Sequence, residues 1–160
     1  MPARFDNMST EEIRAHRETV LLRLLFRTSQ AETNELVTRL HDLGHRTVQP
    51  SYIGLLGNID TEGTRLVTVA QRTGNTRQAV GQLVKEIEAR GFLERRADPT
   101  DGRAVLVAHT KKGRKLLLDA LQAMADIESE YESLLGPRRM KALKDALTEI
   151  ADVADSTTRF

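Results

Sequence analysis

The sequence contains no cysteine. That absence excludes disulfides, thiolate metal sites and cysteine-based sensing of oxidants. No apolar run approaches the roughly 18 residues of a membrane span. The start of the chain lacks the basic-then-apolar pattern of a signal peptide, so the expected location is the cytoplasm. Internal repeats and low-complexity segments are missing, as are glycine-rich phosphate-binding loops. Ser51, Ser129 and Ser133 have no convincing histidine partner, so no catalytic role and no cofactor are expected. His41 and His45 stand four apart, a spacing that can bind metal from one helical face. Gly44 falls between them and Asp42 is the only carboxylate alongside, so no metal site is expected.

What remains is a chain of 160 residues, 39% hydrophobic and 29% charged, enough to bury a core and stay in solution. The net charge of +1 conceals an uneven distribution. Residues 65–115 carry twelve Lys/Arg against five Asp/Glu, a balance of +7, and the remainder stands at −6. A basic third inside an acidic chain suits a surface facing a polyanion, phosphates above all. Ordinary surface charge that happens to cluster is the competing reading.

Residues 1–8 carry no period and read as a frayed start. Ser9 and Glu12 fit a capping box at a helix start. From Ile13 to Leu43 apolar residues recur at helical spacing, interrupted by polar residues 28–35, where the long helix is expected to bend or change partners. Gly44 is its stop. Pro50-Ser51 opens a short helix, and 60–63 reads as a turn. A second short helix, from Leu66, ends near Thr73-Gly74. Thr76 then caps a helix running to about Arg90, with Gly91 beyond it. Two β-prone runs, 92–96 and 104–108, flank the turn-rich stretch 98–103 and read as a protruding hairpin. Thr110 caps another helix, Gly136-Pro137 breaks it, and a last apolar stripe runs from Met140 to Ala154. The expected order is five or six helices with one hairpin between the fourth and fifth.

Helix, turn, helix and hairpin in that order describe a winged helix-turn-helix, whose second helix packs by one face and enters the major groove by the other. Ala79, Val80, Leu83, Val84 and Ile87 form the expected inward face. Arg77, Gln78, Gly81, Gln82 and Lys85 fall opposite, and Gly81 adds no bulk there. Arg can pair two donors with guanine, Gln can do so with adenine, and Lys neutralises phosphate. A solvated amphipathic face has the same composition. Arg95, Arg96 and Arg103 bracket the hairpin tip beside Asp98 and Asp101. A basic tip is placed to reach the minor groove, where negative potential is focused. The two carboxylates are expected to shape the wing rather than touch DNA.

The stretches 75–80 and 83–93 resemble the recognition helix and exit of the MarR (multiple antibiotic resistance regulator) family. Residues 98–107 resemble its wing, and Thr110-Lys111-Lys112-Gly113 its Thr-x-x-Gly element. The strong likeness covers about residues 65–118. Gly102 stands where many members carry a second wing Arg, and His109 replaces the usual Leu before the Thr.

The resemblance implies a mainly α protein: a winged helix-turn-helix with a two-stranded β-wing, plus N- and C-terminal helices forming a dimerisation lobe. The implied division is residues 1–46, 47–110 and 111–160. It implies a repressor that binds an inverted-repeat operator as a homodimer and is released by a small, often aromatic or phenolic, effector. Arg77, Gln78, Gln82 and Lys85 are the expected major-groove set, Arg103 the minor-groove residue, and Thr76 a further expected DNA-binding residue. Arg95 and Arg96 are expected to contact phosphate or support the wing. Effector candidates are His16, Arg17, Tyr52 and Ile53. The alternative is a protein-interaction module that turns the same basic face to an acidic partner.

Overall fold

The computed structural model describes residues 8–157, with the backbone alone described at 102, 103 and 155–157. The frayed start expected over 1–8 therefore falls almost wholly outside the described residues. Ten elements follow in order: α1 Thr10–Thr19, α2 Leu21–Asp42, α3 Pro50–Leu56, β1 Thr64–Arg65, α4 Leu66–Thr73, α5 Arg77–Ala89, β2 Leu93–Asp98, β3 Asp101–His109, α6 Lys111–Leu135 and α7 Pro137–Thr157.

The local signals act where they stand. The Ser9 side chain accepts from the Glu12 amide, and the Glu12 carboxylate accepts from the Ser9 amide at 2.8 Å, which closes the capping box. Pro50 sits in the first turn of α3, where its missing N–H costs no hydrogen bond. Gly44, Gly74 and Gly91 follow α2, α4 and α5 with φ of 95°, 64° and 79°, a left-handed backbone that side chains with a Cβ adopt at a cost.

Two expectations need correction. The long N-terminal helix breaks at Val20 (φ −66°, ψ 131°), not at 28–35. Residues 28–35 stay helical inside α2, with Thr33 Oγ1 bonding back to the Ser29 carbonyl at 2.8 Å. Thr19 and Val20, both β-branched and poor helix formers, mark the actual break with neither Gly nor Pro beside them. The described residues accordingly hold seven helices, and the hairpin lies between the fifth and sixth. The sheet has three strands in the order β1-β3-β2, all antiparallel, rather than the two of the hairpin alone. At two residues, β1 is too short to show a period, and it pairs Arg65 with Leu106.

One core joins α2 to the winged unit, with Leu40, Tyr52, Val69, Val84, Ile87 and Phe92 at its centre, each fully buried. The first turn of α6 is clamped to the exit of α5. The Thr110 hydroxyl accepts from the Gly113 amide at 3.0 Å and donates to the Gly91 carbonyl at 2.6 Å, and the Thr110 amide donates to the Phe92 carbonyl at 3.1 Å. A Cβ at Gly113 would stand 1.9 Å from the Phe92 oxygen, so the Thr-x-x-Gly spacing follows from close approach of two backbones. By contrast α1 is exposed throughout, and α7 buries Met140 alone among residues whose side chains are described.

Candidate nucleic-acid interface

The segment α4, Gly74-Asn75-Thr76, α5 forms the helix-turn-helix. The Asn75 amide donates to the Ala70 carbonyl at 3.1 Å, and the Thr76 hydroxyl accepts from the Ala79 amide at 3.2 Å, so the turn and the start of α5 are both fixed. Val80, Val84 and Ile87 are buried and Leu83 is half-buried. Arg77, Gln78, Gln82 and Lys85 are exposed together on the opposite side. Ala79, expected inward, is instead exposed. The first turn of α5 projects past the core and borders an open depression of about 350 Å³ lined by Ser51, Gly54, Asn58, Thr73 and Asn75. A methyl on Gly81 would meet the Leu66 side chain at 3.7 Å, an ordinary contact, so internal packing does not require glycine there.

The wing is braced at its root by a residue the sequence reading counted only as charge. Arg65, on β1, places Nε 2.7 Å and Nη2 2.6 Å from Asp98 Oδ2, and Nη2 also lies 3.6 Å from Asp101. The other Asp98 oxygen accepts from the Thr100 amide at 2.8 Å and the Thr100 hydroxyl at 2.7 Å. Asp98 is 6% exposed. The bonds from Thr100, and after them Arg65, hold its carboxyl down at about 2. Two acids at one tip require a cation, and that demand is the only signal in the sequence for Arg65.

The remaining arginines have carboxylate partners of their own. Arg95 Nε lies 3.1 Å from Glu88 Oε1 and links the wing to α5, and Arg96 lies 2.6 Å from Glu94 on the same strand. Both arginines are exposed. The Arg103 side chain lies outside the described residues.

The four effector candidates do not meet in this chain. Tyr52 is fully buried, and its hydroxyl donates to Glu86 on α5 at 2.6 Å. Ile53 is half-buried and lines two cavities, neither of which includes His16, Arg17 or Tyr52. His16 and Arg17 are exposed on α1. The histidines of the 41/45 pair look to different partners: His41 Nε2 lies 2.8 Å from the Val48 carbonyl and His45 Nε2 lies 2.6 Å from Asp119. Among the described residues no cluster of His, Asp and Glu has the size of a metal site, and no helix is long and apolar enough to cross a membrane.

A helix-turn-helix with an exposed polar face, followed by a hairpin braced to the same unit, defines the winged-helix class of DNA-binding folds. Residues 47–104 match the MarR family.

The transcriptional regulator HosA of Escherichia coli O111:H- is 26% identical over 91 residues, 57% of this chain and 67% of that protein. The transcriptional repressor CouR, solved on a 23-mer DNA duplex, is 25% identical with a TM-score of 0.67, covering 90% of this chain and 98% of its own. CouR from Rhodococcus jostii RHA1, solved with p-coumaroyl-CoA, is 26% identical with a TM-score of 0.67, over 84% and 94% of the two chains.

Proposed function

We propose that this protein is a repressor that binds an inverted-repeat operator as a homodimer and leaves it when a small effector binds. The observation that carries the DNA reading is the shared exposure of Arg77, Gln78, Gln82 and Lys85 on α5, next to a wing that Arg65 and Asp98 hold in place. In the proposed complex Gln78, Gln82 and Arg77 face base edges. Thr76 and Lys85 face phosphate, and Arg103 enters the minor groove. Arg95 and Arg96 contact phosphate only by exchanging Glu88 and Glu94 for it, so their first role is to shape the wing. Gly102 adds no second cation at the tip. The CouR duplex complex supports the reading by likeness of fold.

Residues 1–46 and 111–160 form the proposed dimerisation lobe around the reading lobe 47–110. Its support is the apolar surface left uncovered on the terminal helices: Leu21, Leu22 and Phe26 on α2, and Leu143, Ile150 and Val153 on α7, are between 45% and 68% exposed. Such patches on a lone chain mark an interface. A two-fold dimer sets its two α5 helices one duplex turn apart, so the half-sites lie about 10 bp apart. A dimer on a promoter excludes polymerase. An effector that favours a different spacing of the heads weakens binding by shifting populations. CouR, solved with p-coumaroyl-CoA, supports an aromatic effector.

Selection of bound duplexes from a random pool, with wild type and Arg103→Ala side by side, tests the reading. An inverted repeat recovered by wild type, and bound more weakly by the variant, is the expected result. Sequence-blind, salt-sensitive binding unchanged by the variant contradicts it and turns the search toward an acidic protein partner.

A further inference from the structure

Glycine inside a helix costs stability, and two reasons for it recur in this chain. Gly74 and Gly91 have the positive φ that follows a helix end, and Gly113 stands where a Cβ would collide with the Phe92 carbonyl. Neither reason applies to Gly81. It is the fifth residue of α5, well inside the helix, and its φ is not positive. A Cβ there meets only Leu66 Cδ2, at 3.7 Å, in ordinary contact. Gly54 on α3 is the other glycine of this kind among the described residues, with nothing within 4 Å of its Cβ position. It borders the depression beside the first turn of α5, so both glycines lie against the reading helix. Nothing inside the molecule asks for glycine at 81, and the reason lies at the surface that α5 presents.

Gly81 falls between Arg77 and Lys85 at spacings of four, in one row along the helix, and the row of Gln78 and Gln82 runs beside it. The four side chains are exposed and Gly81 is half-buried among them. Among the described residues neither Arg77 nor Lys85 has a carboxylate partner, whereas Arg65, Arg72, Arg95 and Arg96 each have one. The glycine is therefore a notch between two cations that are available to DNA.

We propose that Gly81 sets how deeply α5 enters the major groove, and that it thereby determines sequence preference. The inference rests on the DNA reading above and assigns part of that reading to a residue without a side chain.

The dimensions leave little room. The major groove is about 12 Å wide and about 8.5 Å deep, and a helix with its side chains is about 10–12 Å across. With no side chain at 81, a wall of the groove closes on the backbone of α5 between Arg77 and Lys85. Base edges form the floor of the groove and phosphates its rim. A side chain at 81 wedges against the wall and lifts the helix. Gln78 and Gln82, which need the floor, then lose their contacts first. Lys85 keeps its phosphate at the rim, because its four-carbon stem is flexible. Bulk at 81 removes preference before affinity, and it removes no cation.

The test compares full-length wild type, Gly81→Ala and Gly81→Leu in melting temperature, in salt slope, and in the ratio of affinities for the selected operator and an unrelated duplex. Gly81→Ala should melt about 1–4 °C higher than wild type, because the helix gains a better former. Gly81→Leu should melt no lower than wild type. The ratio should fall several-fold in Gly81→Ala and about 10²-fold in Gly81→Leu, the worth of one or two base contacts. Affinity for the unrelated duplex and the salt slope should hold, since every cation remains. A variant both more stable and less selective is an outcome that a purely structural role for the glycine does not produce.

A lower melting temperature in Gly81→Ala overturns the inference, because it would show that the fold itself requires the glycine. An equal loss on operator and unrelated DNA also overturns it. A wild type that prefers its operator, with a ratio that Gly81→Leu retains, contradicts this inference alone. A wild type without preference contradicts the DNA reading and the inference with it.

Discussion

Tyr52 on α3 and Glu86 on α5 are joined by a 2.6 Å hydrogen bond from the phenol to the carboxylate, and Tyr52 is fully buried. This bond sets the recognition helix against α3, whose Ile53 lines two cavities. Tyr52→Phe keeps the ring and removes the donor, so it should lower stability by about 1 kcal/mol in urea unfolding. Burial first, then Glu86, raises the Tyr52 pKa above 10.0. Its folded-state pKa lies above the unfolded one, so the stability it contributes is present below about pH 10 and is lost as pH rises through the folded value. Wild type should therefore lose stability above pH 10 more steeply than Tyr52→Phe. Parallel profiles would contradict the assignment.

Asp98 titrates in the opposite sense. Its folded pKa, about 2, lies below the ordinary value of 3.8, so its contribution is present above pH 4 and fades as pH falls toward 2. Asp98→Asn should flatten that part of the acid limb in thermal melts. Arg65→Ala removes only the second cause of the shift and should flatten it partially. Both variants should weaken operator binding, because each loosens the wing.

Gly113→Ala puts a methyl against the Phe92 carbonyl, and neither backbone can yield alone. The expected loss exceeds about 2 kcal/mol in urea unfolding. Thr110→Ala should cost about 1 kcal/mol and Thr110→Ser little, since serine keeps the cap.

The recognition helix was legible in the sequence because its determinants are local: Thr76 as cap, Gly74 and Gly91 as boundaries, and a 3.6-residue period between them. The hairpin was legible from 98–103 for the same reason. The break at Val20 was missed because a β-branched pair is a weaker signal than a polar stretch, and the polar stretch 28–35 proved to be the outer face of a continuous helix. Ala79 was placed inward by periodicity, but its turn extends beyond the core that periodicity assumes. Arg65 and Asp98 lie 33 positions apart in the chain, and Tyr52 and Glu86 lie 34 apart. Contacts of that range depend on the tertiary fold, and local pattern carries no trace of them. His109 stood out only as a departure from the family's Leu.

The terminal helices carry the prediction for assembly. Ile150, 47% exposed on α7, stands at the surface, where a charged replacement stays in contact with water. Ile150→Asp should shift sedimentation equilibrium from dimer to monomer with its helical circular dichroism unchanged. A mass that stays dimeric would place the interface elsewhere.

The central claim is that α5 reads bases. Its most direct test is the ratio of affinities for the selected operator and for unrelated DNA at one salt concentration, in wild type, Lys85→Ala and the Gln78→Ala, Gln82→Ala double variant. Wild type should prefer its operator by at least about 10³-fold. Lys85→Ala should weaken both affinities alike and lower the salt slope by about 1. The double variant should lose most of the preference while still binding unrelated DNA. A double variant that retains the full ratio would contradict the account and remove α5 from the reading surface.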